Sequence, residues 1–323
     1  MKDYWVWCPS VVQAEDGRYC MYASRWPKSV PFNPCWLTHS EVVLAVSDTI
    51  EGPYVFQEVA LPVRGAQYWD GLVTHNPRII RWRDGYALFY TGISHALGDF
   101  AKGTIPESGI DPRVIAARAG KRIGVAFSKS AYGPWQRLDA PILPVQPDTF
   151  YSFLTSNASP CINEDGSVTL MFKSRRYIGN VHGTMQLGLA RADHIRGPYR
   201  VCGPISLQTD VPYELEDPFL WRNGTRYEML AKDMTGSLCG EFQAGIHAVS
   251  EDGLEWHLSS QPKAYSRTLR WDDGQEIEMG SVERGSLWLE DNTPTHLIAA
   301  VADGPGGFAH AHNTWAAVIP LQP

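Results

Sequence analysis

Tyr213-Glu-Leu-Glu-Asp-Pro-Phe-Leu-Trp221 is the stretch on which the reading of this chain turns. Two carboxylates, Glu216 and Asp217, stand immediately before Pro218 and an apolar strand. Arg222-Asn223-Gly224 then supplies a hairpin turn, and a second strand follows over 227–231. Charge at the mouth of a buried strand is unfavourable unless something uses it.

The same unit recurs. An x-Pro step, a short apolar strand, an Asp-Gly turn and a second strand appear from Cys8-Pro9 through Asp16-Gly17. They appear again from Asn76-Pro77 through Asp84-Gly85 and from Ser159-Pro160 through Asp165-Gly166. A weaker copy begins at Glu283-Arg284-Gly285. A second marker follows the pairs: an apolar strand and then Gly52-Pro53-Tyr54, Gly133-Pro134-Trp135, Gly197-Pro198-Tyr199 or Gly253-Leu-Glu-Trp256. Each marks a third strand, a turn and an outer fourth strand. Five such units without a convincing helix predict an all-β fold, a five-bladed β-propeller with four-stranded antiparallel blades. A Greek-key sandwich would not repeat Gly-Pro-aromatic at one offset. The whole span, 1–323, reads as a single propeller domain.

Composition narrows the function classes. The 323 residues are 44% hydrophobic and 20% charged, as in soluble globular proteins. A formal charge of −7 and no basic run argue against nucleic acid. No stretch nears the roughly 18 apolar residues that span a bilayer, so no membrane partner is expected. The amino terminus runs into a strand without an apolar leader core, which favours the cytoplasm. Six scattered cysteines lack any C-x-x-C pair and read as reduced thiols. No His-x-x-x-His or phosphate-loop pattern occurs, so neither cofactor nor catalytic metal is expected, with room left for a structural calcium or sodium ion in the axis.

In a propeller, the starts of the inner strands and the loops between second and third strands share one face. Those loops are long here: 25–41, 92–122, 175–186, 233–244 and 303–313. Long loops on a rigid scaffold are where binding concentrates. Converging there are Asp70, His75, Asn76, Asn157, Glu216, Asp217, Glu283 and Arg284, with Trp7 and Trp69 as aromatic platforms and Arg175 and Asp233 at the rim. Separated carboxylates with aromatics suit an oligosaccharide partner: one acid protonates the leaving oxygen, and another activates water or attacks the anomeric carbon. His247 reads as packing, and Cys8 as a buried thiol.

At these motifs the chain resembles the five-bladed propeller glycoside hydrolases, the group of arabinanases, β-xylosidases, β-fructosidases and neoagarobiose hydrolases. The resemblance spans nearly the whole chain as blade rhythm. It implies a glycosidase whose general acid is the Glu preceding x-Pro in the fourth blade, here Glu216. It also implies an Asp-Pro opening the first blade as base and another Asp on the second or third. This chain has Cys8-Pro9 and Ser159-Pro160 there, so the second carboxylate is sought first in Asp70, next in Glu283 and last in Asp3. The expected activity is exo-hydrolysis of short oligosaccharides, with Asp217, His75, Arg284, Trp69, Trp7, Arg175 and Asp233 contacting substrate. The alternatives are a non-catalytic carbohydrate-binding propeller and a phosphate-dependent glycoside phosphorylase.

Overall fold

A computed structural model describes residues 1–97, 111–304, 307 and 310–321. Residues 98–110 of the 92–122 loop and 305, 306, 308 and 309 of the 303–313 loop thus lie outside the described residues. Five antiparallel sheets stand around one axis, their innermost strands in mutual contact. Blade 1 runs from the axis outward through Tyr4–Gln13, Tyr19–Pro27, Glu41–Ser47 and Val55–Leu61. Blade 2 uses Val73–Trp82, Gly85–Ile93, Lys121–Ser128 and the short Gln136–Arg137. Blade 3 uses Leu154–Ile162, Val168–Arg175, Gln186–Ala192 and Arg200–Pro204.

Two blades depart from the four-strand expectation. Blade 4 has Leu215–Asn223, Arg226–Asp233, Gly245–Ser250 and Glu255–Tyr265, and Ser206–Leu207 adds a parallel fifth strand at its edge. Blade 5 has three among the described residues: Ser281–Glu290, Thr293–Ala302 and Thr314–Pro320. A separate hairpin, Thr268–Arg270 with Glu276–Glu278, sends Trp271 against Trp315 of its outer strand. Among the described residues two short helices, Trp36–His39 and Pro112–Ala119, sit in the insertions of blades 1 and 2 where none was expected. Asp111 caps the second by accepting from Arg113 N at 2.8 Å, and Pro112 opens it.

The apolar cores lie between blades. Tyr22, Leu44 and Val12 of blade 1 pack on Ile79, Leu88 and Tyr90 of blade 2. Phe89 and Val125 meet Leu170 and Phe172, and Met171 and Leu189 meet Leu220 and Met229. Leu230 and Trp221 pack on Val282 and Ala299, and Val11 and Met21 on Ile298. Val6 N also donates to Thr314 Oγ1 at 2.8 Å where the last blade meets the first.

Each inner strand carries a β-bulge at the same height, two residues against one on the neighbouring strand: 8–9, 76–77, 157–158, 217–218 and 284–285. The first residue of each is left-handed: Cys8 at φ 55°, Asn76 at 50°, Asn157 at 52°, Asp217 at 56° and Arg284 at 59°. Proline follows in three of the five, tolerated because a bulge releases the ladder N–H. In blade 3 the equivalent step is Asn157-Ala158, which corrects the alignment on Ser159-Pro160. Ser159 instead matches Ser10: their hydroxyls accept from the next blade's Leu220 N at 2.7 Å and Ile79 N at 3.1 Å.

Candidate functional site

The five bulges turn their side chains to the axis and link them. Cys8 Sγ donates to Asn76 Oδ1 at 2.7 Å, Asn76 Nδ2 to Asn157 Oδ1 at 2.5 Å, and Asn157 Nδ2 to Asp217 Oδ1 at 2.6 Å. From the other side Arg284 donates to the same Asp217 oxygen at 3.2 Å. Asp217 is therefore the common acceptor of a ring of donors. A left-handed conformation costs a non-glycine residue roughly 1–2 kcal/mol, so five at one level mark a place where the fold holds strain. Burial pushes the Cys8 thiol far above its ordinary range, so it is no nucleophile.

Above the ring opens a cavity of about 250 Å³. Its aromatic wall comes from blade 1 and its insertion. The Phe32 ring stands 5.0 Å from Trp7 and 4.9 Å from Trp26, and Trp36 stacks on His75 at 5.1 Å. His75 Nδ1 lies 2.7 Å from Ser40 Oγ. Burial and the nearby Lys121 and Arg284 charges hold its imidazole neutral.

The opposite wall carries the charge. Glu216 and Lys232 face each other in register across the first two strands of blade 4, and Lys232 Nζ lies 3.0 Å from Glu216 Oε2. The same ammonium lies 2.9 Å from Glu283 Oε1, as an ion pair without hydrogen-bond alignment, and 3.9 Å from Asp217 Oδ2. Lys173, reaching over from blade 3, donates to Glu216 Oε1. Glu216 thus has two ammoniums, Asp217 has Arg284, and Glu283 has only a share of Lys232. Burial alone would raise the Glu216 carboxyl, but Lys173 and Lys232 together hold it well below the carboxylate range. Glu283 goes the other way: burial lifts it, Lys232 offsets part of this, and Asp217 and Glu216 lift it further.

Of the residues singled out in the sequence, Glu216, Asp217, Glu283, Arg284, His75, Trp7 and Arg175 all line this cavity. Arg175 is tied back to the Gly183 carbonyl and lies 3.9 Å from Glu214. Four do not reach it, and of these Asp3 lies exposed just ahead of the first strand. Asp70 is fully buried at the base of blade 2, accepting from Arg64 at 2.6 Å, Arg137 at 3.2 Å and Tyr90 Oη at 2.7 Å. It is a structural anion, because every approach to its oxygens is taken. Trp69 stacks on Tyr90 at 5.6 Å and fills the space over Gly92 and Gly124, where no Cβ would fit. Asp233 folds its own loop, accepting from the Thr235, Gly236 and Leu238 amides.

Sequence reading missed Trp36, Arg118 and Lys121, all from the insertions. The one available signal was Lys121 heading an apolar strand, a position where an ammonium is buried with its strand.

Among solved structures the chain is similar to Zg3597, a family 117 glycoside hydrolase of the marine bacterium Zobellia galactanivorans. The TM-score is 0.67 at 13% identity, covering 99% of this chain and 85% of that one. It is similar to the endo-arabinase of Bacteroides thetaiotaomicron, with a TM-score of 0.59 and 12% identity over 98% and 94% of the two chains. It is also similar to the GH43_1 enzyme of Xanthomonas citri complexed with xylotriose, at 0.62 and 14% over 100% and 88%. At such identities the likeness establishes the five-bladed fold. No family model and no curated protein matches the chain in sequence.

Proposed function

We propose that this chain is a glycoside hydrolase that removes terminal sugars, with Glu283 as general acid and Glu216 as the ionised carboxylate. The observation that carries the reading is one lysine, Lys232, shared by two carboxylates at the cavity wall whose proton affinities diverge. Titratable pairs driven apart in this way supply an acid and a base at one pH. Structural neighbours of the same fold named as glycoside hydrolases support it. The assignment reverses the roles the motif suggests, because a Glu216 held by two ammoniums has no proton to give.

Glu283 protonates the glycosidic oxygen as the bond to the anomeric carbon breaks, while Glu216 faces the developing oxocarbenium ion. Whether Glu216 attacks that carbon or directs water to it sets the anomer released first, which NMR of the reaction reads directly. A cavity of about 250 Å³, below the roughly 300–1,000 Å³ of pockets for drug-sized ligands, supports action on one terminal residue. We assign no metal a role: the axial Asn76 and Asn157 oxygens already accept from neighbouring donors, and Arg284 supplies positive charge beside Asp217.

Leaving-group dependence tests the assignment. Glu283→Gln is expected to lower turnover 10²–10⁴-fold on alkyl glycosides but far less on 4-nitrophenyl glycosides, whose leaving group needs no proton. Glu216→Gln is expected to lower both. The opposite dependence would restore Glu216 as the acid, and wild-type rates in both variants would remove the pair from the mechanism.

A further inference from the structure

The cavity carries more positive charge than its carboxylates neutralise. Glu216 is met by Lys173 and Lys232, and Asp217 by Arg284. Lys121 and Arg118 also line the cavity, and among the described residues no carboxylate comes within ion-pair distance of either. Lys121 is 1% exposed; its Nζ lies 4.1 Å from the centre of the Trp36 ring, with the Arg118 guanidinium 5.7 Å from the same ring. A ring face softens the burial of a cation but does not replace an anion. Both residues arrive through the blade 2 insertion, Arg118 in the last turn of Pro112–Ala119 and Lys121 at the head of Lys121–Ser128.

We propose that the cavity takes an oxyanion, bound by Lys121 and Arg118 beside the Glu216–Glu283 pair, so that the ligand is a sugar bearing a carboxylate, sulfate or phosphate group. The identity of the sugar rests on the glycosidase reading; the demand for an anion rests on the unpaired cations. Burial, with the charges of Lys173 and Arg118 and against the pull of Glu216, drives the Lys121 ammonium well below the lysine range. An anion set against it opposes that shift. Free inorganic phosphate meets the same chemistry. Its oxygen would bond the anomeric carbon as the glycosidic bond breaks, with the leaving oxygen protonated by Glu283.

The test is calorimetric titration of the whole chain at low salt with D-galacturonate and D-glucuronate against D-galactose and D-glucose, and with inorganic phosphate and sulfate. At least one anion is expected to bind tenfold or more tightly than its neutral counterpart. Lys121→Met and Arg118→Met should each cut that preference about tenfold, with circular dichroism confirming that they fold. A uronate preference without phosphate binding places the charge on the sugar. Phosphate binding lost in Lys121→Met, with glycosyl phosphate as product, places it in solution; both results uphold the oxyanion site. Equal affinity for charged and neutral sugars with no binding of phosphate or sulfate overturns it, as does an undiminished preference in both variants. The glycosidase reading fails separately: an anion bound by wild type, with no glycoside of any charge cleaved, keeps this inference and drops the enzyme.

Discussion

Asp70 and Glu283 are both buried carboxylates set among cations, and only one of them lines a cavity. Asp70 accepts from two arginines and a tyrosine hydroxyl, and Arg64 spends a further nitrogen on Asp139. Glu283 has a share of one lysine and faces open space. Burial and partner charge therefore do not separate structure from chemistry; what separates them is whether any valence is left over. The comparison breaks most readily at Asp70. Asp70→Asn is expected to cost roughly 3–5 kcal/mol, since it leaves the buried Arg137 side chain beside a neutral amide and Arg64 with only the exposed Asp139. Turnover per folded molecule should stay at the wild-type level, with Glu283→Gln showing the converse pattern. Chemical denaturation and active-site titration measure both sides. A folded Asp70→Asn without activity would erase the distinction.

That contrast also marks how far a sequence can be read. The Asp-Gly and Asn-Gly turns are local, so the blades they close at Asp16-Gly17, Asp84-Gly85 and Asp165-Gly166 were legible residue by residue. Proline marked the bulges only where it happened to occupy their second position. In blade 3 that position is Ala158, and Pro160 drew the alignment two residues too far. Blade 5 kept a strand too few, because its markers were already weak past Glu290. Charge partners are not local at all: Arg137 lies far along the chain from Asp70, and nothing in Tyr68-Trp69-Asp70-Gly71 announces it. Lys121 and Arg118 come from an insertion with no blade marker, so their arrival at the cavity follows only from the packed fold.

Lys121 sharpens the comparison from the cationic side. Where removing Asp70 strands charges, Lys121→Met removes one that is already stranded, and it is expected to stabilise the chain by roughly 1–3 kcal/mol, the range for an unsatisfied buried polar group. The sign fixes the pH dependence. A lysine whose folded proton affinity is depressed leaves the unfolded chain holding more protons between its lowered pKa and the ordinary 10.5. Wild-type stability thus rises with pH through that window. The advantage of Met is greatest below it and vanishes as pH approaches 10.5. A thermal midpoint lowered by Lys121→Met at neutral pH would show that the ammonium is satisfied within the fold. It would then be a second Asp70 rather than part of a site.

The smallest expected effect separates the two carboxylates from each other. The proposed mechanism needs Glu216 ionised, so under it activity falls as pH drops through the depressed pKa of that group; it needs Glu283 protonated, so activity falls as pH rises through the elevated one. Burial lifts Glu216, and it is Lys173 first and Lys232 second that hold it down. Lys173→Met should therefore move the acidic limb of kcat/KM upward, by about one pH unit if the lost contact is worth roughly 1.4 kcal/mol. The basic limb should stay nearly still, because Lys173 pairs with Glu216 and not with Glu283. Lys232→Met should raise both limbs together, since that ammonium touches both acids. Limbs that moved together in Lys173→Met would mean that the pair titrates as one unit and shares its proton. The division of labour between Glu216 and Glu283 would then have to come from the sugar bound between them.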